Sequence, residues 1–233
     1  MRDSLGMKVL ALDTAMGASS VCVSDTDSGI CVHEIRPMLR GQAEALVPMF
    51  DDVIEKAGIP YADLDLIVTT VGPGAFTGLR IGLSAARALG TALGKNVAGV
   101  TTLGVLAAQY FQDNKLKKKQ QLLVVLETKR KDFYLQLFGA AQEEITKPMA
   151  LSAEDILPFI NKDTVLIGDA CERFMSSILQ EKQNIMVDDR YILPDPRVMV
   201  LMVAGQGEIL PPDPLYLREA DVSQSKKKNR VLE

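Results

Sequence analysis

The sequence predicts an α/β protein with mixed sheets and helices packed on their faces. Three observations predict it. Three strand-like segments come first, at residues 8–14, 19–24 and 30–35, before any helical spacing. Helical and strand patterns then alternate to about residue 112. Beyond a charged break the chain repeats strands, helix, strand, helix more loosely, with no repeat visible in the sequence itself. Leading strands followed by alternation describe a sheet of both parallel and antiparallel pairs, covered by helices.

The elements follow in order. "KVLALDT" (8–14) is an apolar run of strand length, and "SSVCVS" (19–24) is the next. The turn "DTDSG" leads into "ICVHEI" (30–35). Leu46, Met49, Phe50, Val53, Ile54 and Ala57 then recur at helical spacing until Gly58 and Pro60 stop them. Pro48 lies inside that helix, so it is kinked or starts later than Gly41. "LDLIVTTV" (64–71) is a fourth strand. A helix over about 77–93 follows, with Thr77 as a candidate N-cap and Gly94 as a candidate C′ residue. Residues 96–100 are a fifth strand and 102–112 a third helix. "QLLVVLE" (121–127) and "DFYLQLF" (132–138) read as a hairpin. Ser152 and Asp155 resemble a capping box with Asp in place of Glu. A strand at 164–169, a helix at about 171–182 and a helical patch at 196–205 complete the pattern.

The charged segment "DNKLKKKQ" (113–120) marks a lobe boundary. The expected division is a first lobe over 1–112, a smaller second lobe over 113–222, and a basic, disordered tail over 223–233. With 233 residues and 47% hydrophobic content, the chain can bury a substantial core. A formal net charge of −4 gives no global nucleic-acid footprint. Cys22, Cys31 and Cys171 are few and odd in number, which suits free thiols in a reducing compartment. The N-terminus lacks a long apolar run, and no segment is long and apolar enough to span a membrane, so a cytoplasmic protein is expected. Met7 is a second candidate start.

The stretch "VGPGAFTGLRIG" (71–82) poses the functional question. It is no P-loop, because Gly78 is followed by Leu79 and Arg80 where that motif needs Lys and a hydroxyl residue. Gly72, Gly74 and Gly78 also miss the spacing of the dinucleotide fingerprint. A generic anion site at the helix N-terminus stays open. The helix itself carries Gly78, Gly82, Ala86, Gly90 and Gly94 at intervals of four, a ridge of small residues. Interior glycines cost about 0.5–1 kcal/mol each relative to alanine, which close packing usually offsets.

Arg80, Ser84, Arg87 and Thr91 fall in one narrow polar sector, and apolar residues cover most of the rest. Such a helix is expected to be buried on two sides: by its own sheet, and by a neighbouring helix or a subunit. The subunit reading puts an interface on Glu44, Val47, Met49, Phe50, Phe76, Gly78, Gly82, Ala86 and Gly90. On that reading, Gly82→Leu or Gly90→Leu breaks association and leaves the monomer folded.

"ALDTA" in the first strand, "GPGAFTGLRIG" before the second helix and "DPLYLRE" near the C-terminus together resemble the bacterial TsaB family, across most of the chain. The resemblance implies an actin-like, ribonuclease-H-type ATPase fold of two lobes. It implies a non-catalytic paralogue of TsaD that binds and activates it. Together with the ATPase TsaE, the pair supports transfer of a threonylcarbamoyl group to the tRNA adenosine beside the anticodon. Homodimers are implied as competitors of the heterodimer, with tRNA met only indirectly. The chain departs from the family at Gln42, where His may stand, and in "LETKRKDFY" (126–134), where an Asp-Ala-Arg-like turn is usual.

The chemistry the residues permit is limited. With His33 as its one histidine, the chain has neither the helix-borne histidine pair that holds metal in TsaD-like enzymes nor a second base for a serine triad. No metal site is expected. The alternative function is a free-standing ATP-dependent kinase or hydrolase, with a nucleotide cleft at Asp13, Thr14, Gly72 and Gly74 and a second carboxylate at Glu127. The hairpin turn "ETKRKD" has no glycine, which describes a degenerate cleft. No cofactor is expected to be required by this chain, and the complex leaves room for ATP. The basic segments 115–119 and 226–230 read first as solvated loop and tail, and second as tRNA contacts.

Overall fold

The computed structural model describes residues 6–178, 185–205 and 209–218. Strand β1 (Lys8–Asp13) is buried at almost every position because both faces of its sheet are covered. It pairs antiparallel with β2 (Ala18–Asp25), which pairs antiparallel with β3 (Ile30–Pro37). On its other side β1 pairs parallel with β4 (Leu66–Gly72), and β4 with β5 (Asn96–Thr101). The sheet order is β3-β2-β1-β4-β5. Helix α1 (Gln42–Ala57) links β3 to β4, α2 (Phe76–Leu93) links β4 to β5, and α3 (Thr102–Asp113) leaves β5.

The second sheet repeats the plan. It contains β6 (Gln121–Glu127), β7 (Asp132–Phe138), β8 (Met149–Ser152), β9 (Thr164–Ile167) and β10 (Met186–Val187). Its order is β8-β7-β6-β9-β10, which is the first sheet's order with β6 in the place of β1. Its helices are α4 (Ala153–Ile156) and α5 (Cys171–Ile178), and α6 (Pro196–Ala204) follows them in the chain. Two lobes of one topology make this the actin-like fold.

The local signals act as expected in most places. Gly58 and Gly94 take left-handed conformations at the ends of α1 and α2. Ser152 caps α4, accepting from the Asp155 N–H at 3.2 Å, while its hydroxyl reaches the Asp155 carboxylate at 2.7 Å. Helix α1 starts at Gln42 and runs through Pro48, which is exposed. The carbonyl that the proline leaves without a partner, that of Glu44, is on an exposed residue where water can serve it.

Thr77 is not the N-cap of α2. The cap position is Ala75, whose side chain cannot accept, and its N–H donates to the Ala15 carbonyl at 2.7 Å. Thr101, by contrast, caps α3 by accepting from Gly104 N. The helix expected to about 182 is described to Ile178, and the tail at 223–233 lies outside the described residues.

The last helix departs from the expected division. Val198, Met199, Val200 and Val203 of α6 pack with Val9, Ala11 and Cys22 of the first sheet. Conversely, Leu103, Leu106, Ala107 and Tyr110 of α3 pack with Leu122, Val124 and Ile167 of the second. Helix α3 thus lies between the sheets with α6 beside it on the first, and α1 and α2 cover the outer face of the first sheet. No helix among the described residues is long and apolar enough to cross a membrane.

Candidate functional site

The turn between β1 and β2 meets the start of α2, bringing Asp13, Thr14, Gly72, Gly74 and Gly78 together. The chain's own atoms fill the space between them. Asp13 is 0% exposed. Its Oδ1 accepts from Ala15 N at 3.1 Å and from Thr70 Oγ1 at 2.5 Å, while Oδ2 has no partner. Burial pushes its carboxyl up to about 6, against the opposing pull of those two hydrogen bonds. The Thr14 hydroxyl donates to the Gly78 carbonyl at 2.7 Å. A side chain at Gly74 would strike the Ala15 carbonyl, and one at Gly78 the Thr14 carbonyl. Gly72, at φ 112°, lies under the Leu79 side chain and the Leu215 carbonyl. Gln42 brackets the turn from outside, its amide donating to the carbonyls of Thr14, Met16 and Ala18 at 3.1–3.3 Å.

The small-residue ridge of α2 therefore faces its own sheet. A Cβ at Gly82 would lie 2.6 Å from Thr14 Oγ1, and one at Gly90 would lie 2.5 Å from Val97 Cγ2. Met49, Phe50, Gly78, Gly82, Ala86 and Gly90 are buried in the first lobe and present nothing to a partner. The expectation that Gly82→Leu or Gly90→Leu would spare the monomer is corrected: a leucine there collides with the lobe's interior. A helix wheel shows that two sides are apolar, but not which side meets the sheet.

Glu44, Val47 and Phe76 are exposed, as an interface requires. Val47 is 59% and Phe76 49% exposed, high values for large apolar side chains. They flank a groove of about 530 Å³ between α1 and α2. Ala43 and Leu46 of α1 and Ile81 and Ala85 of α2 form its apolar lining, with Thr77, Arg80 and Ser84 supplying polar groups.

A segment from the far end of the chain props one wall of this groove. Leu210 exchanges both backbone hydrogen bonds with Gly99 on β5, and Leu215 N donates to the Val71 carbonyl at 2.7 Å. Asp213 pairs with Arg87. The Tyr216 ring lies 5.6 Å from that of Phe76, and its hydroxyl accepts from Arg80 Nε at 3.3 Å. Arg80 in turn stacks over Phe76 at 3.8 Å. Two residues on, Arg218 pairs with Asp132 of the second lobe. This strap engages the polar sector of α2 and joins the lobes. The motif "DPLYLRE" contains its part from Asp213 on, but its long-range contacts could not be read from spacing.

The second hairpin carries Glu127, whose carboxylate is taken by Arg173 through bonds of 2.7 and 2.9 Å. Asp169, nearby, accepts from Glu127 N at 2.9 Å, and burial pushes it up to about 6. Among the described residues no group of three or more His, Cys, Asp or Glu is arranged to hold a metal ion. His33 is exposed on β3, opposite Cys22 on β2. Cys22 is buried with its Sγ 3.7 Å from that of Cys31, and burial pushes its thiol far up.

Comparison with known proteins adds the following. A family model described as "TsaD: tRNA N6-adenosine threonylcarbamoyltransferase" matches residues 37–181. An uncharacterized protein of Mycobacterium tuberculosis is 36% identical over 127 residues, covering 54% of this chain and 56% of that protein. The tRNA threonylcarbamoyladenosine biosynthesis protein TsaB of Escherichia coli is 32% identical over 108 residues, 46% of each chain. The chain spans about half the length of these curated relatives. The solved structure of YeaZ from Pseudomonas aeruginosa matches with a TM-score of 0.75 at 24% identity, covering 91% of this chain and 100% of that one.

Proposed function

Because the chain belongs to the TsaD-related family, in its TsaB branch, we propose that it is a non-catalytic subunit that docks and activates a TsaD-like paralogue. The reaction served is transfer of a threonylcarbamoyl group to the tRNA adenosine beside the anticodon, in the cytoplasm and with a TsaE-like ATPase. The observation that carries this reading is the exposed apolar groove between α1 and α2, edged by Val47 and Phe76. The matched family model spans both helices, so a TsaD-like paralogue has a comparable helical pair to present. A second copy of this chain can occupy the same groove, which makes homodimer and heterodimer exclusive.

The enclosure of Asp13 and Thr14 supports a subunit rather than a free-standing ATPase. A carboxylate that directs a metal-bound water has to meet it, and Asp13 is 0% exposed, its one bonded oxygen taken by Ala15 N and Thr70. ATP enters the reaction through the complex, not through a site this chain completes alone.

Reconstitution tests the reading. Unmodified tRNA, threonine, bicarbonate and ATP are incubated with the enzyme making threonylcarbamoyl-adenylate, a TsaD-like partner and a TsaE-like ATPase. The modified nucleoside is measured by mass spectrometry, with and without this chain. Product depends on the chain, survives Asp13→Asn, and is lost with Val47→Glu/Phe76→Glu. Truncating a central interface anchor typically costs about 2 kcal/mol or more, roughly thirtyfold in affinity, and a charge in the groove costs at least that. Product formed equally well without the chain sinks the assignment.

A further inference from the structure

Strand β3 is the outer strand of the first sheet, and its outer edge pairs with no strand among the described residues. It carries Cys31, which is exposed, while β2 beside it carries Cys22, which is buried. Their sulfurs lie 3.7 Å apart, in van der Waals contact. The register makes the two cysteines diagonal neighbours: Cys22 stands opposite His33, and Cys31 opposite Ser24. Strand residues two apart share a face, so both thiols lie on the face that packs against α6.

The two thiols differ in a way that divides a reaction between them. A small oxidant from solvent can meet Cys31. It cannot meet Cys22, which belongs to the apolar cluster of Val9, Ala11, Val198 and Met199. Burial pushes the Cys22 thiol far up, so it stays protonated and inert toward reagents outside. The sulfur within its reach is that of Cys31. Cys171 takes no part, because it is buried in the second lobe against Phe174 and Leu166.

We infer that Cys22 and Cys31 form a reversible oxidation site, which a hydroperoxide converts to a disulfide between β2 and β3. The Cys31 sulfur attacks one peroxide oxygen. The S–O bond forms as the O–O bond breaks, and the thiol proton leaves on the alcohol or water released. The Cys22 sulfur then attacks the Cys31 sulfur. The S–S bond forms as the S–O bond breaks, and the Cys22 proton leaves with the hydroxide as water. Two thiols have lost two electrons and two protons to the hydroperoxide. A small-molecule thiol reverses the bond by exchange and is itself oxidised to a disulfide.

The sulfurs close from 3.7 Å to about 2 Å. Diagonal residues of an antiparallel pair stand about 7–8 Å apart, beyond the roughly 6.8 Å that a relaxed disulfide spans between Cα atoms. β3 can supply the difference because no strand holds its outer edge. A bond that draws an edge strand inward is easily reduced, which suits a transient mark rather than a permanent staple. Cys22 also protects its neighbour. A sulfenic acid that is resolved into a disulfide escapes further oxidation to the irreversible sulfinic and sulfonic acids.

The test treats the folded, reduced full chain with hydrogen peroxide, blocks free thiols with iodoacetamide and maps the peptides by mass spectrometry. The expected product is a Cys22–Cys31 peptide pair short of two hydrogens, which dithiothreitol returns to two free thiols. Cys22→Ala removes the resolving sulfur, and Cys31 then gains two or three oxygens at the same peroxide dose. Cys31→Ser, at an exposed position, abolishes the disulfide and leaves Cys22 reduced. Sulfinic or sulfonic Cys31 in the wild type to the same extent as in Cys22→Ala overturns the inference. So does a Cys31–Cys31 bond between two copies, or a Cys22–Cys31 bond that forms only once urea has unfolded the chain. The wild-type peptide map decides the question by itself if Cys22→Ala fails to fold. No outcome depends on partner docking, so the subunit reading stands or falls separately.

Discussion

Replacing Asp13 with asparagine changes the pH dependence of stability by an amount set by the burial of one carboxyl. In the unfolded chain Asp13 titrates near its ordinary value of 3.8; in the folded protein burial pushes it up to about 6. The folded state therefore holds the proton more tightly. From about pH 4 to pH 6 the unfolded state has lost its proton while the native state retains it, and stability falls as pH rises. Above that window both states are ionised and the full cost of the buried charge is present. A shift of about 2 units corresponds to about 3 kcal/mol at 1.36 kcal/mol per unit. Asparagine cannot ionise, so the variant's advantage over wild type grows by about 3 kcal/mol between pH 4 and pH 7.5. That difference between two pH values cancels the fixed cost of fitting an amide beside Thr70 and Ala15. Urea unfolding at a series of pH values measures it. The chain has no tryptophan, so far-UV circular dichroism is the suitable probe. Asp169 also titrates near 6 and gives both proteins a common slope, which the comparison removes. An advantage constant from pH 4 to 7.5 refutes the reasoning and means that water or another group reaches Asp13 in solution.

Gly78→Ala pushes a methyl group onto the Thr14 carbonyl and costs about 1–3 kcal/mol of stability by urea unfolding. Gly29→Ala, with open space around it, costs only the strain of its φ of 76°, about 1 kcal/mol. Arg173→Lys leaves an ammonium where a guanidinium bridged Glu127, Arg130 and Asp132, so hydrogen-exchange protection at residues 129–130 falls while that of β6 is kept. Under native conditions iodoacetamide labels Cys31 first. Cys22 and Cys171 are buried with thiols pushed up, Cys171 to about 12, and react only as the protein opens.

The strands and long helices were legible because burial writes a period into the sequence. β1, β4 and β6 show as apolar runs, and α1 shows as a stripe from Leu46 to Ala57. The short edge strands β8 and β10 were not, since two to four half-buried or exposed residues carry no usable period. The orientation of α2 was also hidden. A slot that admits a sheet and a slot that admits a partner both call for small residues, and Gly82 looks the same in either. Val47 and Phe76, expected at an interface together with residues that are buried, are exposed on the groove's edge, because their helix faces turn away from the sheet. Tyr216 and Arg80 were missed as parts of the groove wall because their contact joins residues more than a hundred positions apart. The packing of α6 on the first sheet was missed for the same reason.

The two lobes share one strand order, and the proposed docking groove lies on the first. In the first lobe the helix after the third strand has 16 residues and the next has 18. Their counterparts in the second lobe, α4 and the described part of α5, have 4 and 8. A helix of four residues is a single turn and cannot form one wall of a groove, whereas α1 and α2 are each more than four turns long. The second lobe has instead kept what a short-helixed sheet can offer: a hairpin end, braced by Arg173 and reached by the strap through Arg218. The strap runs from Phe76 on the first lobe to Asp132 on the second, and α3 also packs on both sheets. Tyr216→Ala removes the ring that backs Phe76 without touching the groove's other wall. It weakens partner docking by about 1 kcal/mol, the worth of one aromatic contact, roughly fivefold by calorimetry. Docking at wild-type affinity in Tyr216→Ala would show that Phe76 is held by Arg80 and α2 alone, and that the strap has no part in recognition.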